Sequence, residues 1–311
     1  MLWKCERCGA AWEDKRRASR GCPHCGFEAI TPSGPEVLAT DAGDVVLGAP
    51  VHLGETYELV SGALDGRCVV VKRVRRELLG GVASGSATDR LREERDRLLE
   101  AAGPGVVLLL ACVRDEASYV MPRYERTLAT LSPGDAAVFG GVTGLAHRLG
   151  GTLARLHALG VVHRDVHPGN VLVKPLDRRF DAVVLGDFGQ AWHPTRKALT
   201  PERRACVTPG YTAPEVLRRG TPTGACDVYS LAAVLYERVA GRRPHEHPDP
   251  HEELRRSATE RPLSLRVFPG AAELPPDLTS WVDAALSPRA SDRPTLSGLL
   301  SWLSPVGATR T

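Results

Sequence analysis

A chain of 311 residues is long enough for one large or two modest domains. Its 40 Lys+Arg against 37 Asp+Glu leave a net charge of +3, which offers no argument for a nucleic-acid or acidic-membrane partner. Hydrophobic residues at 42% and charged residues at 25% are ordinary for a globular protein. The longest apolar run, Val106 to Val113, falls far short of the roughly 20 residues a membrane helix needs.

The N-terminus, Met1-Leu2-Trp3-Lys4-Cys5, lacks the apolar core of a secretory signal, so a cytoplasmic protein is expected. Eight Cys in a reducing compartment point to metal or buried thiols before disulfides. Four of them form two knuckles, Cys5-Glu6-Arg7-Cys8-Gly9 and Cys22-Pro23-His24-Cys25-Gly26, with thirteen residues between Cys8 and Cys22. Four thiolates satisfy a closed tetrahedral zinc site, and a Gly after each second Cys permits the tight turn the knuckle needs. The pattern resembles a zinc ribbon over residues 1–30. A redox dithiol or disulfides are the competing readings, and His24 is expected to stay out of the ligand set. So short a segment takes its folding energy from the metal. The ribbon is a candidate docking element for a protein partner.

Residues 31–44, rich in Pro, Gly and small side chains, read as a linker. Short apolar runs follow, at Val45–Leu47, Thr56–Val60 and Cys68–Val74, and they predict strands joined by turns such as Leu64-Asp65-Gly66. Asp89 to Ala101 predicts a charged helix with Leu91, Leu98 and Leu99 on one face. Val106–Val113 and Tyr119–Met121 predict further strands. Beyond Leu131 the chain turns helical, with Leu145, Leu149, Leu153 and Leu156 at helical spacing, then Val228, Leu231, Val234 and Leu235. Strands first and helices later predict an α+β protein in which a sheet-rich lobe precedes a helical one. The final residues, 305–311, read as a tail.

The chemistry concentrates in His163-Arg164-Asp165-Val166-His167-Pro168-Gly169-Asn170, with Asp187-Phe188-Gly189 seventeen residues beyond Asn170. Phosphoryl transfer requires hard oxygen ligands for Mg²⁺, a group that orients the attacking hydroxyl, and positive charge on the phosphates. Asn170 and Asp187 suit the metal, and Asp165 suits the hydroxyl proton. These strings resemble the H-R-D-x-x-x-x-N and D-F-G motifs of eukaryotic-type Ser/Thr protein kinases, which also occur in bacteria. The resemblance continues through Thr208-Pro209-Gly210-Tyr211-Thr212-Ala213-Pro214-Glu215, through Asp227-Val228-Tyr229-Ser230-Leu231, and through Ser291-Asp292-Arg293-Pro294-Thr295.

The resemblance implies a two-lobe kinase domain over 45–304, with the small lobe about 45–122 and the large lobe about 123–304. It also implies ATP and Mg²⁺ as cofactors and a protein as substrate. Val69-Val70-Val71-Lys72 resembles the strand whose lysine contacts the α- and β-phosphates. Glu94 is its expected charge partner, with Glu93 the neighbour most easily confused with it. Gly48 and Gly54 take the outer places of the Gly-rich loop, and Met121 lies at the nucleotide. Thr208 is expected near Asp165, and Arg293 is expected to pair with Glu215. Arg164 permits a phosphate on the activation segment, with Thr195 and Thr200 as candidate autophosphorylation sites.

Two departures stand out. The Gly-rich loop aligns only with one extra residue, lacks its middle Gly, and contains Pro50, which has no N–H for phosphate. His167 replaces the usual lysine. A pseudokinase scaffold is therefore one alternative. A small-molecule kinase is the other, because His167-Pro168-Gly169-Asn170 resembles the aminoglycoside phosphotransferases. The Ala213-Pro214-Glu215 string argues against the latter.

Overall fold

The computed structural model describes residues 2–5, 11–12, 30–33, 36–78, 82–113, 118–132, 140–175, 181–193, 207–218 and 220–303, with the first three segments, 82–84 and 174–175 as backbone alone. Strands β1 (Leu2–Cys5), β2 (Ala11–Trp12) and β3 (Ile30–Ser33) form an antiparallel sheet in the order β2-β1-β3. Cys5 ends β1 opposite Ile30. Cys8, Cys22 and Cys25 lie outside the described residues, as do Thr195 and Thr200.

A second sheet comprises β4 (Val37–Thr40), β5 (Gly43–Leu53), β6 (Tyr57–Leu64), β7 (Arg67–Val74), β8 (Ala111–Cys112) and β9 (Tyr119–Pro122), in the order β4-β5-β6-β7-β9-β8. The β6–β7 hairpin turns on Asp65 and Gly66, at φ of 48° and 75°. Both central residues in the left-handed region match the right-handed twist of the flanking strands. An antiparallel bridge between Thr40 and Val113 joins the two edge strands, supported by Asp41 N–H donating to Cys112 O at 3.0 Å. The sheet therefore closes on itself. Val45, Leu47, Val60, Leu64, Val69, Val71, Ala111 and Val120 fill its interior, while Val46, between Val45 and Leu47, is exposed, as the period-2 alternation of a strand requires.

Three expectations need correction. The supposed linker 31–44 carries most of β3, which pairs with β1, and all of β4, which pairs with β5 at the edge of the barrel. The helix expected at Asp89–Ala101 is α1 (Val82–Glu100), which starts earlier. Leu91 and Leu98, two turns apart, are buried on it, whereas Leu99, about 100° further round, is exposed. Of the strand expected at Val106–Val113, only Ala111–Cys112 is formed, and Leu108 is exposed.

By internal contacts the chain divides into two compact units, Met1–Thr88 with Leu110–Met121, and Asp89–Leu109 with Pro122–Thr311. The larger holds β10 (Tyr124–Thr127), β11 (Val171–Pro175) and β12 (Val183–Leu185) in one antiparallel sheet. Among the described residues its helices are the part of α1 from Asp89 onward, α2 (Gly141–Ala158), α3 (Pro214–Leu217), α4 (Gly224–Ala240), α5 (Pro250–Thr259), α6 (Pro276–Ala285) and α7 (Leu296–Leu303). The leucine stripe of α2 is buried, and α2 packs on α4 and α7. Helix α4 is buried at every residue from Cys226 to Tyr236, so its apolar residues run all round rather than along a stripe.

The two faces of β5 make opposite predictions. Leu47→Ala, which empties part of the barrel interior, is expected to cost about 2–5 kcal/mol in denaturant unfolding. Val46→Ala, on the exposed face, is expected to stay within about 0.5 kcal/mol of the parent.

Candidate active site

The loop after α2 is organised by Asp227, which is fully buried near the start of α4. Its Oδ2 accepts from His163 N–H at 2.9 Å and from His157 Nε2 at 2.8 Å, and its Oδ1 accepts from Arg164 N–H at 2.8 Å. Burial alone would raise the carboxyl's pKa. The hydrogen bond and charge of His157 and the Arg164 N–H outweigh that and hold it below its ordinary value. Arg164 sits at φ 70°, in the left-handed region, and the Asp227 carboxylate holds its N–H in place.

His163 is fully buried, and burial pushes its pKa down. Its Nε2 faces the Gly186 carbonyl at 3.1 Å, which can only accept, and its Nδ1 accepts from Asp165 N–H at 3.3 Å. The ring is therefore the neutral Nε2–H tautomer. It lies edge-on to the buried Phe188, with centroids 4.8 Å apart. One imidazole thus joins the loop of Asp165 to the loop of Asp187.

Each oxygen of Asp165 has a donor: Thr208 Oγ1 to Oδ1 at 3.0 Å, and Asn170 Nδ2 to Oδ2 at 3.1 Å. Asn170 Nδ2 also reaches the Asp165 carbonyl at 2.9 Å. That use of the amide nitrogen leaves Asn170 Oδ1 as a neutral oxygen donor. Asp187, exposed and at φ 55°, adds anionic oxygens, one of which accepts from Gly189 N–H at 3.2 Å. This donor set is all oxygen and fits Mg²⁺. The two residues are brought together by the ladder itself: Val171 pairs with Leu185, and Gly186 N–H extends the pairing to Asn170 O at 2.8 Å. His167 Nδ1 accepts from Gly169 N–H at 3.1 Å, so a neutral ring carries its proton on Nε2, which lies 3.7 Å from Asp165 Oδ2.

Downstream, Arg293 meets Glu215 through two parallel bonds of 2.6 and 2.8 Å, and also donates to the carbonyls of Ser287 and Ala225. Tyr211 OH donates to Glu237 at 2.6 Å. Gly210, at φ 83°, passes so close to the Arg243–Glu253 pair that a Cβ would lie 2.7 Å from each. On α1, Glu93 pairs with Arg97 at 3.2 Å, whose other nitrogen donates to Gly189 O at 3.2 Å. Glu94 is buried, and a Cβ on Gly189 would lie 3.6 Å from its Oε2. Burial separates the two neighbouring glutamates, which spacing alone left close.

In the smaller unit, Lys72 lies on β7 with its Nζ 5.4 Å from the Tyr57 ring centre, within cation–π range. Tyr57 OH also donates to Ala87 O on α1 at 3.2 Å. Met121 is half-buried on β9. Gly48 is placed inside β5 and not in a loop: a Cβ there would meet Ser61 Oγ at 2.7 Å. Gly54 begins the turn into β6, its N–H donating to Tyr57 O at 3.0 Å. The β5–β6 register slips twice, between Leu47 and Pro50 and again between Pro50 and His52, so bulges absorb the surplus length and accommodate the proline. Tyr57, His157 and Glu237 were not singled out from sequence. Their partners lie 15 to 70 residues away, and no local pattern marks them.

The Asp227 network yields a signed pH prediction. Because the folded carboxyl lies below the unfolded value of about 3.9, its stabilisation is complete above that pH and fades as pH falls through the folded value. Asp227→Asn is expected to cost about 3–5 kcal/mol in denaturant unfolding near neutral pH and to lose less on acidification than the parent.

Residues 52–302 match the family model described as the protein kinase domain. The serine/threonine-protein kinase PkaA of Streptomyces coelicolor is 31% identical over 251 residues, 78% of this chain and 43% of that protein. AfsK of the same organism is 30% identical over 84% of this chain and 31% of its own length. PknK of Mycobacterium tuberculosis is 29% identical over 88% of this chain and 24% of its own length. The chain thus spans less than half the length of these curated relatives. With the family model covering most of its residues and the loop of Asp165 tied to that of Asp187 as described, the chain belongs to the protein kinase domain family.

Proposed function

We propose that the chain transfers the γ-phosphoryl group of ATP to a serine or threonine hydroxyl of a protein substrate. The observation that carries this reading is the convergence of Asn170 and Thr208 on the two oxygens of Asp165. An acceptor hydroxyl directed at that carboxylate gives up its proton to Asp165 as the new O–P bond forms and the bond to the β-phosphate breaks. Bound Mg²⁺–ATP would supply the phosphoryl group and neutralise its charge. Asn170 and Asp187 would hold the metal, and Lys72 would meet the α- and β-phosphates, with Glu94 as its acidic partner. Gly48, Gly54 and Met121 complete the proposed nucleotide site. Thr208 donates to Asp165 Oδ1, and that pairing is read as favouring a short Ser or Thr acceptor. His167, with its Nε2 3.7 Å from Asp165 Oδ2, takes the position where the kinase resemblance implies a lysine.

The N-terminal sheet is read as a zinc ribbon with Cys5, Cys8, Cys22 and Cys25 as ligands, in a reducing cytoplasm that keeps the thiols available. Two C-x-x-C-G knuckles and a three-stranded antiparallel sheet between and around them support that reading. Its surface is a candidate site for a protein partner. Among the described residues no helix is long and apolar enough to cross a membrane.

Incubation with labelled ATP and Mg²⁺ tests the activity. Asp165→Asn is expected to slow transfer by about 10²–10⁴-fold, and Asp187→Ala to abolish metal-dependent labelling. Labelled protein is expected to carry phosphate on Thr195 or Thr200, read by peptide mapping. Retained ATP binding with no transfer to itself or to casein would identify a scaffold instead. Metal analysis of the purified chain is expected to find about one zinc per molecule, lost in Cys22→Ser.

A further inference from the structure

Glu36 lies ahead of the residues matched to the kinase family, at the head of β4. Its carbonyl accepts from Leu47 N–H at 2.7 Å, one step before the Val37–Val46 pair. That register turns Glu36 to the same side of the sheet as Leu47, the barrel interior. On β6 and β7, Glu58 and Arg73 face each other with the same parity as Val60 and Val71. Two charged residues from β6 and β7 and one just ahead of β4 therefore stand at one end of the apolar interior.

They are joined by one guanidinium. Arg73 Nε donates to Glu58 Oε1 at 2.8 Å, and its Nη1 donates to Glu36 Oε1 at 2.8 Å. Arg76 donates to the same Glu36 oxygen. The Arg73 and Glu58 side chains are only 13% and 10% exposed, so neither charge is left to water. Burial works against the charge on Arg73, and the bonds from both carboxylates overcome it.

Arg73 directly follows Lys72. Neighbours on a strand point to opposite faces, so Arg73 is gripped from the interior while Lys72 projects from the other face beside Tyr57. We propose that Glu36 is a positioning residue: through Arg73 it fixes the stretch of β7 that presents Lys72, which makes the N-terminal strand part of the nucleotide-binding apparatus. The inference rests on the reading of Lys72 as the phosphate-contacting lysine.

The test is a cycle on the full chain, with Mg²⁺–ADP affinity measured by calorimetry and KM for ATP and kcat measured on casein. Glu36→Gln is expected to weaken Mg²⁺–ADP about three- to tenfold. KM for ATP should rise in step while kcat stays within about twofold, the pattern of lost ground-state binding. In an Arg73→Gln background the same change is expected to add nothing. If circular dichroism shows Arg73→Gln unfolded, Arg73→Lys replaces it, since lysine cannot bridge both carboxylates. Lys72→Met distinguishes the two ways of failing. Affinity unchanged in Lys72→Met overturns the reading of Lys72 and the positioning role with it. Affinity lost in Lys72→Met but kept in Glu36→Gln overturns the positioning role alone. Equal losses from Glu36→Gln with and without Arg73 would also overturn it.

Discussion

The Asp227 carboxylate, fully buried at the start of α4, is the point from which the His163–Asn170 loop hangs. It receives the backbone N–H groups of two consecutive residues more than sixty positions earlier, His163 and Arg164. A buried carboxylate without such donors would be strongly destabilising, so the loop and the helix stabilise each other or neither holds. With that backbone fixed, the His163 ring points at Gly186, and the Asp165 side chain meets Asn170 and Thr208. Arg164 adopts a backbone conformation rare for side-chain-bearing residues, held by the same carboxylate.

The candidate metal-ligand oxygens of Asn170 and Asp187 are placed by ordinary sheet pairing. Asn170 and Asp187 lie just beyond the β11–β12 ladder, and the last bond of that ladder, Gly186 to Asn170, sets their spacing. A short antiparallel pair inside a buried unit is rigid, which suits a site that works by positioning and electrostatics. The smaller unit solves a related problem differently. It closes a sheet of short strands by recruiting β4, and it ties the strand of Lys72 to that recruit through an ion network at the open end of the barrel.

Much of this was legible in sequence because the residues of the candidate site sit in short strings. His163 to Asn170 and Asp187 to Gly189 name their own chemistry, and the leucine spacing of α2 shows its buried face. What stayed hidden depends on distant partners. Residues 37–40 look like linker because nothing local says that Val113 will bridge Thr40. Gly48 reads as part of a flexible loop, yet it is needed where β5 presses on Ser61. Leu99 fits a loose helical pattern but falls on the solvent side of α1. Spacing pointed to Glu94 over Glu93, and burial now separates them physically. Arg73, beside the singled-out Lys72, carries no signal until Glu36 and Glu58 are seen to share it.

The most direct measurement is phosphoamino-acid analysis of the products after the full chain has turned over labelled ATP. The label is expected on phosphoserine or phosphothreonine and not on phosphotyrosine, since the proposed role of Thr208 beside Asp165 favours a short hydroxyl. Label confined to tyrosine, or bound ATP that never yields a phosphoamino acid, would contradict it.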